Sequence, residues 1–329
     1  MQRFLLQVLG FIAVFMLLNS IVGYFNAIPV KESIRNKTNS NYLKYVKIQE
    51  PNNNYNTLFL GSSRGYTAYN PVIFDSILHT KSFNMCTSSQ NVIESYYTLK
   101  AVLQFQKPQR VIYELFLQSF DTTDDYYQIL SNASFFESTQ LKQSMIINGF
   151  GLKGVSNYLS PILRNKLYIK ASIMGLITGG DTSSPSDKKT SYWVSGYKHE
   201  EKEVSQTTIA NFEEMAMLTN TALSEKKVDY FKKMVNLCKA NNIELICVRS
   251  PFPPTRLQKE KHKDLNDLNN YFNNLCVTNN LKYYDFNTII NKHVKYLDTD
   301  FSDSHHMNYK GANKASVQLS LLLKNNYGK

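Results

Sequence analysis

The chain predicts an α/β domain built on a parallel sheet with helices on both faces, preceded by a membrane anchor. Three observations predict it. Short apolar runs such as Thr57–Leu60 and Ile243–Val248 alternate with longer helix-spaced segments, the pattern of strands buried on both sides. The 329 residues are 43% hydrophobic, which supports a real core and suffices for one large α/β domain plus an anchor, or for two small domains. Phe4–Phe25 carries no charge, and only Gln7, Asn19 and Ser20 interrupt its apolar character.

That first segment is about 22 residues long, the length of a helix crossing ~30 Å of hydrocarbon. No small-residue cleavage site follows it, so residues 1–28 read as an uncleaved signal anchor and a single-pass membrane protein. Residues 29–55 are polar and read as a juxtamembrane stalk, and the globular domain occupies 56–329. Orientation is ambiguous. Arg3 lies on one side of the span, while Lys31, Arg35, Lys37, Lys44 and Lys47 lie on the other, which by charge alone favours a cytoplasmic domain.

Within the domain, Thr57–Leu60 is a strand ended by Gly61. Asn70-Pro71 marks a helix start, Asn capping and Pro in the first turn. Ser82–Met85 forms a short strand, and Val92–Phe105 a helix broken by Lys107-Pro108. Arg110–Leu115 is the next strand. About 121–225 loses the rhythm and reads as a helical insertion, with a loop over Gly179–Ser186. Alternation returns with a helix over Lys226–Ala240, the strand Ile243–Val248, a Pro-rich turn at Ser250–Pro254, a helix over Asp264–Val277, a strand at Lys282–Phe286 and a last helix over Tyr309–Leu323.

Net charge is +11, which fits a lysine-rich solvated surface or an anionic partner such as membrane lipid or an acidic envelope polymer. No zinc-finger, basic-zipper or RNA-binding signature points to nucleic acid. Cys86, Cys238, Cys247 and Cys276 form no CxxC pair, which disfavours a zinc knuckle or thioredoxin-like site, and Cys238 and Cys247 read as core thiols. No cofactor is predicted.

Two short stretches carry chemistry. Leu60-Gly61-Ser62-Ser63-Arg64 places a serine after a strand, where parallel sheets bind ligands. Asp303-Ser304-His305-His306 precedes the last helix, and its spacing lets Asp303 hold Nδ1 of His306 while Nε2 stays free. The alternatives are a plain Ser-rich turn at one end, and at the other a solvated acidic loop or a divalent-metal site. Glu114 and Arg249 end strands on the same sheet edge and, with Arg64, read as cleft residues. Trp193 beside Tyr192 and Tyr197 suits a buried aromatic cluster better than a sugar platform. His79, His199, His262 and His293 read as surface.

Together the Gly-x-Ser turn and the Asp-x-x-His block resemble the SGNH (GDSL-like) hydrolase superfamily. The details resemble its membrane-anchored cell-envelope branch, which includes D-alanylation and polysaccharide O-acetylation accessory proteins. The resemblance covers most of 55–325. It implies a three-layer flavodoxin-like fold, with Ser63 as nucleophile, His306 as base and Asp303 as orienting acid. It also implies an extracytoplasmic domain acting as a serine esterase or acyltransferase on a cell-envelope carbohydrate or polymer, with a membrane-bound acyltransferase as partner; the alternative is a non-catalytic binding or assembly protein. Three departures stand out. Ser62 stands where many members have Asp. No Gly occupies the family's second block, where Asn84-Met85-Cys86 is nearest, and no Gly-x-Asn-Asp follows the third strand. The oxyanion hole would then rest on the amides of Ser63 and Cys86.

Overall fold

A computed structural model describes residues 1–35, 37, 39–165, 191–205, 207–208, 223–259, 262–288 and 294–327. The chain divides into two units, 1–43 with 125–187, and 44–124 with 188–329. The predicted loop at Gly179–Ser186 and His293 lie outside the described residues, as does the side chain of His262.

The second unit holds a five-stranded parallel sheet formed by β1 (Thr57–Leu60), β2 (Ser82–Asn84), β3 (Arg110–Glu114), β6 (Glu244–Arg249) and β7 (Lys282–Asp285). Their order across the sheet is β2-β1-β3-β6-β7, all pairs parallel. Counted by sheet strand, this is the 2-1-3-4-5 order of doubly wound flavodoxin-like sheets, and its switch point lies between β1 and β3. Register places Phe59, Ile112 and Ile246 in one row. This row packs with Phe74, Ala315 and Leu319 on one face, under α3 (Ser63–Ala68), α4 (Pro71–Leu78) and the last helix, α13 (Tyr309–Tyr327). On the opposite face Tyr113 meets Phe231 of α10 (Glu225–Ala240), and α10 packs on α5 (Val92–Val102). The predicted α/β fold with both faces covered is therefore present.

Local chemistry explains the helix starts. Asn70 caps α4 with Pro71 at its first position. Asn91 and Glu94 form a reciprocal capping box on α5. Between β6 and β7 run α11 (Pro254–Lys259) and α12 (His262–Thr278).

The region 121–225 does not behave as one insertion. Residues 125–165 form helices α6 (Tyr126–Ala133), α7 (Thr139–Ser144), α8 (Phe150–Leu159) and α9 (Pro161–Arg164) of the first unit. Residues 191–200 form an antiparallel hairpin of the second unit, β4 (Ser191–Val194) and β5 (Tyr197–Glu200). Its turn docks on the end of β2, where Asn84 N–H donates to Ser195 O at 2.9 Å. Gly196 has φ +80, and a Cβ there would fall 1.9 Å from Asn84 O, so glycine meets both the backbone and the space requirement.

The first unit contains α1 (Gln2–Arg35), of which Gln2–Phe25 is long and apolar enough to cross a membrane. Part of the predicted stalk is helical. Ser40–Gln49 form α2, and Lys44, Tyr45 and Ile48 are buried.

Candidate active site

Strand β1 ends at Leu60, and Gly61 turns the chain with φ +139. A Cβ at Gly61 would lie 2.9 Å from Glu114 Cβ, so the turn needs glycine to pass the end of β3. Ser62 then caps α3 by accepting Arg64 N–H at 3.3 Å. This leaves Ser63 at the first helical position, and its N–H has no hydrogen-bond partner among the described residues.

The second half of the site is a tight loop before α13. Phe301 and Met307 form an antiparallel bridge, and Ser302 N–H donates to His306 O at 2.9 Å. Buried Asn308 closes the loop by donating to Thr299 O at 2.8 Å, while its Oδ1 accepts the N–H groups of Lys310 and Gly311 as the cap of α13. Asp303 Oδ1 accepts the amides of His305 and His306, both at 2.8 Å, and Oδ2 meets His306 Nδ1 at 2.8 Å. His306 Nε2 in turn lies 2.8 Å from Ser63 Oγ. The structure thus brings Ser63, His306 and Asp303 into one hydrogen-bonded chain.

An ionised carboxylate only accepts, so His306 Nδ1 must donate and Nε2 is left to accept the serine proton. Burial alone would raise the Asp303 carboxyl. Hydrogen bonding and charge from His306, with the two loop amides, outweigh that and hold it well below the ordinary carboxylate range.

A protein-family model matches residues 195–327. No curated protein matches the chain. Among solved structures, the chain is similar to a GDSL-like lipase from Bacteroides thetaiotaomicron VPI-5482, at 11% identity and TM-score 0.42, over 87% of this chain and 98% of that one. It is also similar to an acetyl xylan esterase from the rumen bacterium Butyrivibrio proteoclasticus, at 10% identity and TM-score 0.33, over 83% of this chain and 64% of that one.

Several site residues stand elsewhere than the sequence suggests. Cys86 N–H does not point at an open hole, because Asn84 Oδ1 accepts it at 3.1 Å. Asn84 also donates to Gly65 O and Tyr69 O, both at 3.0 Å, so this block ties β2 to α3 instead. Arg64, Glu114 and Arg249 do not line a cleft but are buried. Arg249 pairs with Asp285 at 2.9 Å. Glu114 accepts Arg64 Nε–H and the Ser62 hydroxyl, both at 3.1 Å. The Arg64 guanidinium also donates to Ser250 O at 2.6 Å and His305 O at 3.3 Å, and stacks 3.6 Å from the Phe252 ring centroid. A charge needs such partners when water is removed, and one of them, the carbonyl of His305, ties the residue after Ser63 to the loop that carries His306.

Lys44, in the predicted stalk, is a missed neighbour. Its ammonium bonds Cys86 O and sits 5.4 and 5.0 Å from the rings of Tyr66 and Trp193, and burial lowers its pKa to about 7. Trp193 is 38% exposed and tilted against Tyr66, so it is neither fully buried nor isolated. His199 is not a plain surface residue, since its ring stacks between Tyr192 and Tyr309.

His305 carries a pH signature. Burial, with the neighbouring His306, Arg256 and Arg64 charges, lowers it to about 4 despite Asp303. Its ordinary value is about 6.5. Between those values the unfolded chain binds a proton that the folded chain does not, so stability falls as pH falls through that window. The midpoint of thermal unfolding in detergent is expected to drop between about pH 6.5 and 4, and His305→Gln to flatten that slope. Equal slopes in the two proteins would contradict it. Asp303, with its lowered carboxyl, acts in the same sense at still lower pH.

Proposed function

We propose that the chain is a membrane-anchored serine esterase or acyltransferase acting on acyl esters of a cell-envelope carbohydrate or polymer, with its domain outside the cytoplasm. The observation that carries this reading is the continuous hydrogen-bonded chain from Ser63 Oγ through His306 to Asp303. On this reading His306 Nε2 takes the Ser63 proton as Oγ attacks the ester carbonyl. The tetrahedral intermediate collapses, the C–O bond to the leaving alcohol breaks, and imidazolium returns the proton to that oxygen. Water or a carbohydrate hydroxyl then attacks the acyl-enzyme with His306 again as base, and Ser63 regains its proton. Ser63 N–H, without a partner among the described residues at the start of α3, is the first oxyanion donor. A transfer reaction would draw its acyl group from a membrane-bound partner enzyme, with the anchor keeping the two in one plane.

A second reading is supported by the engaged amide of Cys86. Loss of one oxyanion donor typically lowers rates by ~10²–10³. A site with that deficit suits a binding or assembly protein that keeps the fold and holds polymer without turning it over.

A fluorophosphonate probe separates the two. Wild-type protein is expected to label covalently at Ser63, with labelling lost in Ser63→Ala and His306→Ala. Labelling that is absent in wild type, or equal in all three, would remove the enzymatic reading.

A further inference from the structure

In the first unit, α8 and α9 carry apolar side chains that nothing described in the protein covers. Leu152 is 89% exposed, Leu159 68% and Tyr158 45%, flanked by Ile147 and Leu163, which are also exposed. Isolated exposed leucines are ordinary, whereas a contiguous set marks an interaction surface. The helix proper begins after Gly151, where the backbone is non-helical. At 3.6 residues per turn, Leu152, Val155, Tyr158 and Leu159 fall within an arc of about 120°, and Lys153, Ser156 and Asn157 on the other side. This is the pattern of a helix lying in a membrane boundary.

The element is also fixed to the apolar helix. Asn19, a polar residue inside the uncharged run, accepts from Ser160 Oγ at 2.9 Å and Ile162 N at 3.2 Å, and donates to Leu159 O at 3.3 Å. Such mutual satisfaction is what polar groups require away from water. One turn further, a Cβ on Gly23 would lie 3.1 Å from Pro161 Cγ, so a small residue permits the close approach. Asn19 and Gly23, two residues that hydropathy alone would not select for a span, both lie against the start of α9.

Depth agrees. Asn19 lies six residues before Phe25, where the apolar run ends. That is about 9 Å along the axis at ~1.5 Å per residue. Interfacial helices bury their apolar face by ~5–10 Å.

We infer that α8 and α9 form a second membrane contact, an interfacial helix whose Leu152/Val155/Leu159 side lies among acyl chains while its C-terminal turn docks on α1. Lys153 then faces the headgroups. The occupant of this surface is lipid, and the inference rests on α1 spanning the bilayer.

The test uses full-length protein in vesicles of phosphatidylethanolamine and phosphatidylglycerol. The native cysteines are buried. Leu152→Cys, Leu159→Cys, Lys153→Cys and, within α1, Leu9→Cys are each labelled with an environment-sensitive fluorophore. Quenching is read with a shallow lipid-attached spin label and with aqueous iodide. Leu152 and Leu159 positions are expected to be quenched several-fold more by the lipid label than Lys153, and several-fold less by iodide. If they are as open to iodide as Lys153 while Leu9 is lipid-quenched, the inference fails and the span stands. If Leu9 is itself open to iodide, the span fails and this contact with it. Protection from both quenchers would mean that a second protein copy covers the face, which also overturns a lipid contact.

Discussion

Replacing Glu114 by alanine is expected to destabilise the protein by about 3–5 kcal/mol, the cost typical of stranding one member of a buried ion pair. Glu114 and Arg64 side chains are each 1% exposed. Alanine would leave the guanidinium buried without its counter-charge and the Ser62 hydroxyl without its acceptor. The consequence reaches the site, because Arg64 follows Ser63 and donates to the carbonyl of His305, which precedes His306. Loosening Arg64 therefore loosens both halves of the Ser63–His306 contact. Against a total of roughly 5–15 kcal/mol, such a loss is large. Unfolding midpoints in detergent would show it. A Glu114→Ala protein within about 1 kcal/mol of wild type would mean that the pair contributes no more than a surface one. Glu114→Leu combined with Arg64→Met should be milder than Glu114→Ala alone, since apolar replacement of a whole buried pair is often neutral.

The same pair marks where the sequence stops being legible. The apolar strands, the Gly-Ser turn and the Asp-x-x-His loop are readable because each is a local pattern tied to local backbone chemistry. Asn70-Pro71 and Asn308 are likewise local: a side chain two or three residues from the amide it caps. Burial of Arg64 is not local. Its partners lie 50, 186 and 241 residues away, so nothing near it distinguishes a buried arginine from one lining a cleft. Lys44 misleads similarly, because its neighbours Tyr66, Cys86 and Trp193 come from three other parts of the chain. His199 needs Tyr192 across a hairpin and Tyr309 from the last helix before it becomes part of a stack. Cys86 is different. The residue that takes its amide is Asn84, two positions earlier, and an Asn ending a strand is a known competitor for nearby N–H groups, so that signal was present.

Asp303→Asn is expected to lower the rate of fluorophosphonate labelling by about 10⁴, the loss seen when a triad histidine is forced into the wrong tautomer. The carboxylate receives three N–H groups, from two loop amides and from His306 Nδ1. An asparagine can keep its carbonyl on the loop amides, and then its NH₂ faces Nδ1. Only a bare Nδ1 accepts that contact, so the ring proton moves to Nε2, where it opposes the Ser63 O–H. The fold should change less than the rate, because the Asp303 side chain is 46% exposed and the loop keeps its bridge at Phe301 and Met307. A large rate loss in a variant that still unfolds cooperatively is therefore the diagnostic combination; its midpoint should fall below wild type at neutral pH, because the fold favours the ionised carboxylate that asparagine removes. A variant that labels within about tenfold of wild type would mean that Asp303 shapes the loop without setting the tautomer, since a tenfold change is only ~1.4 kcal/mol of barrier.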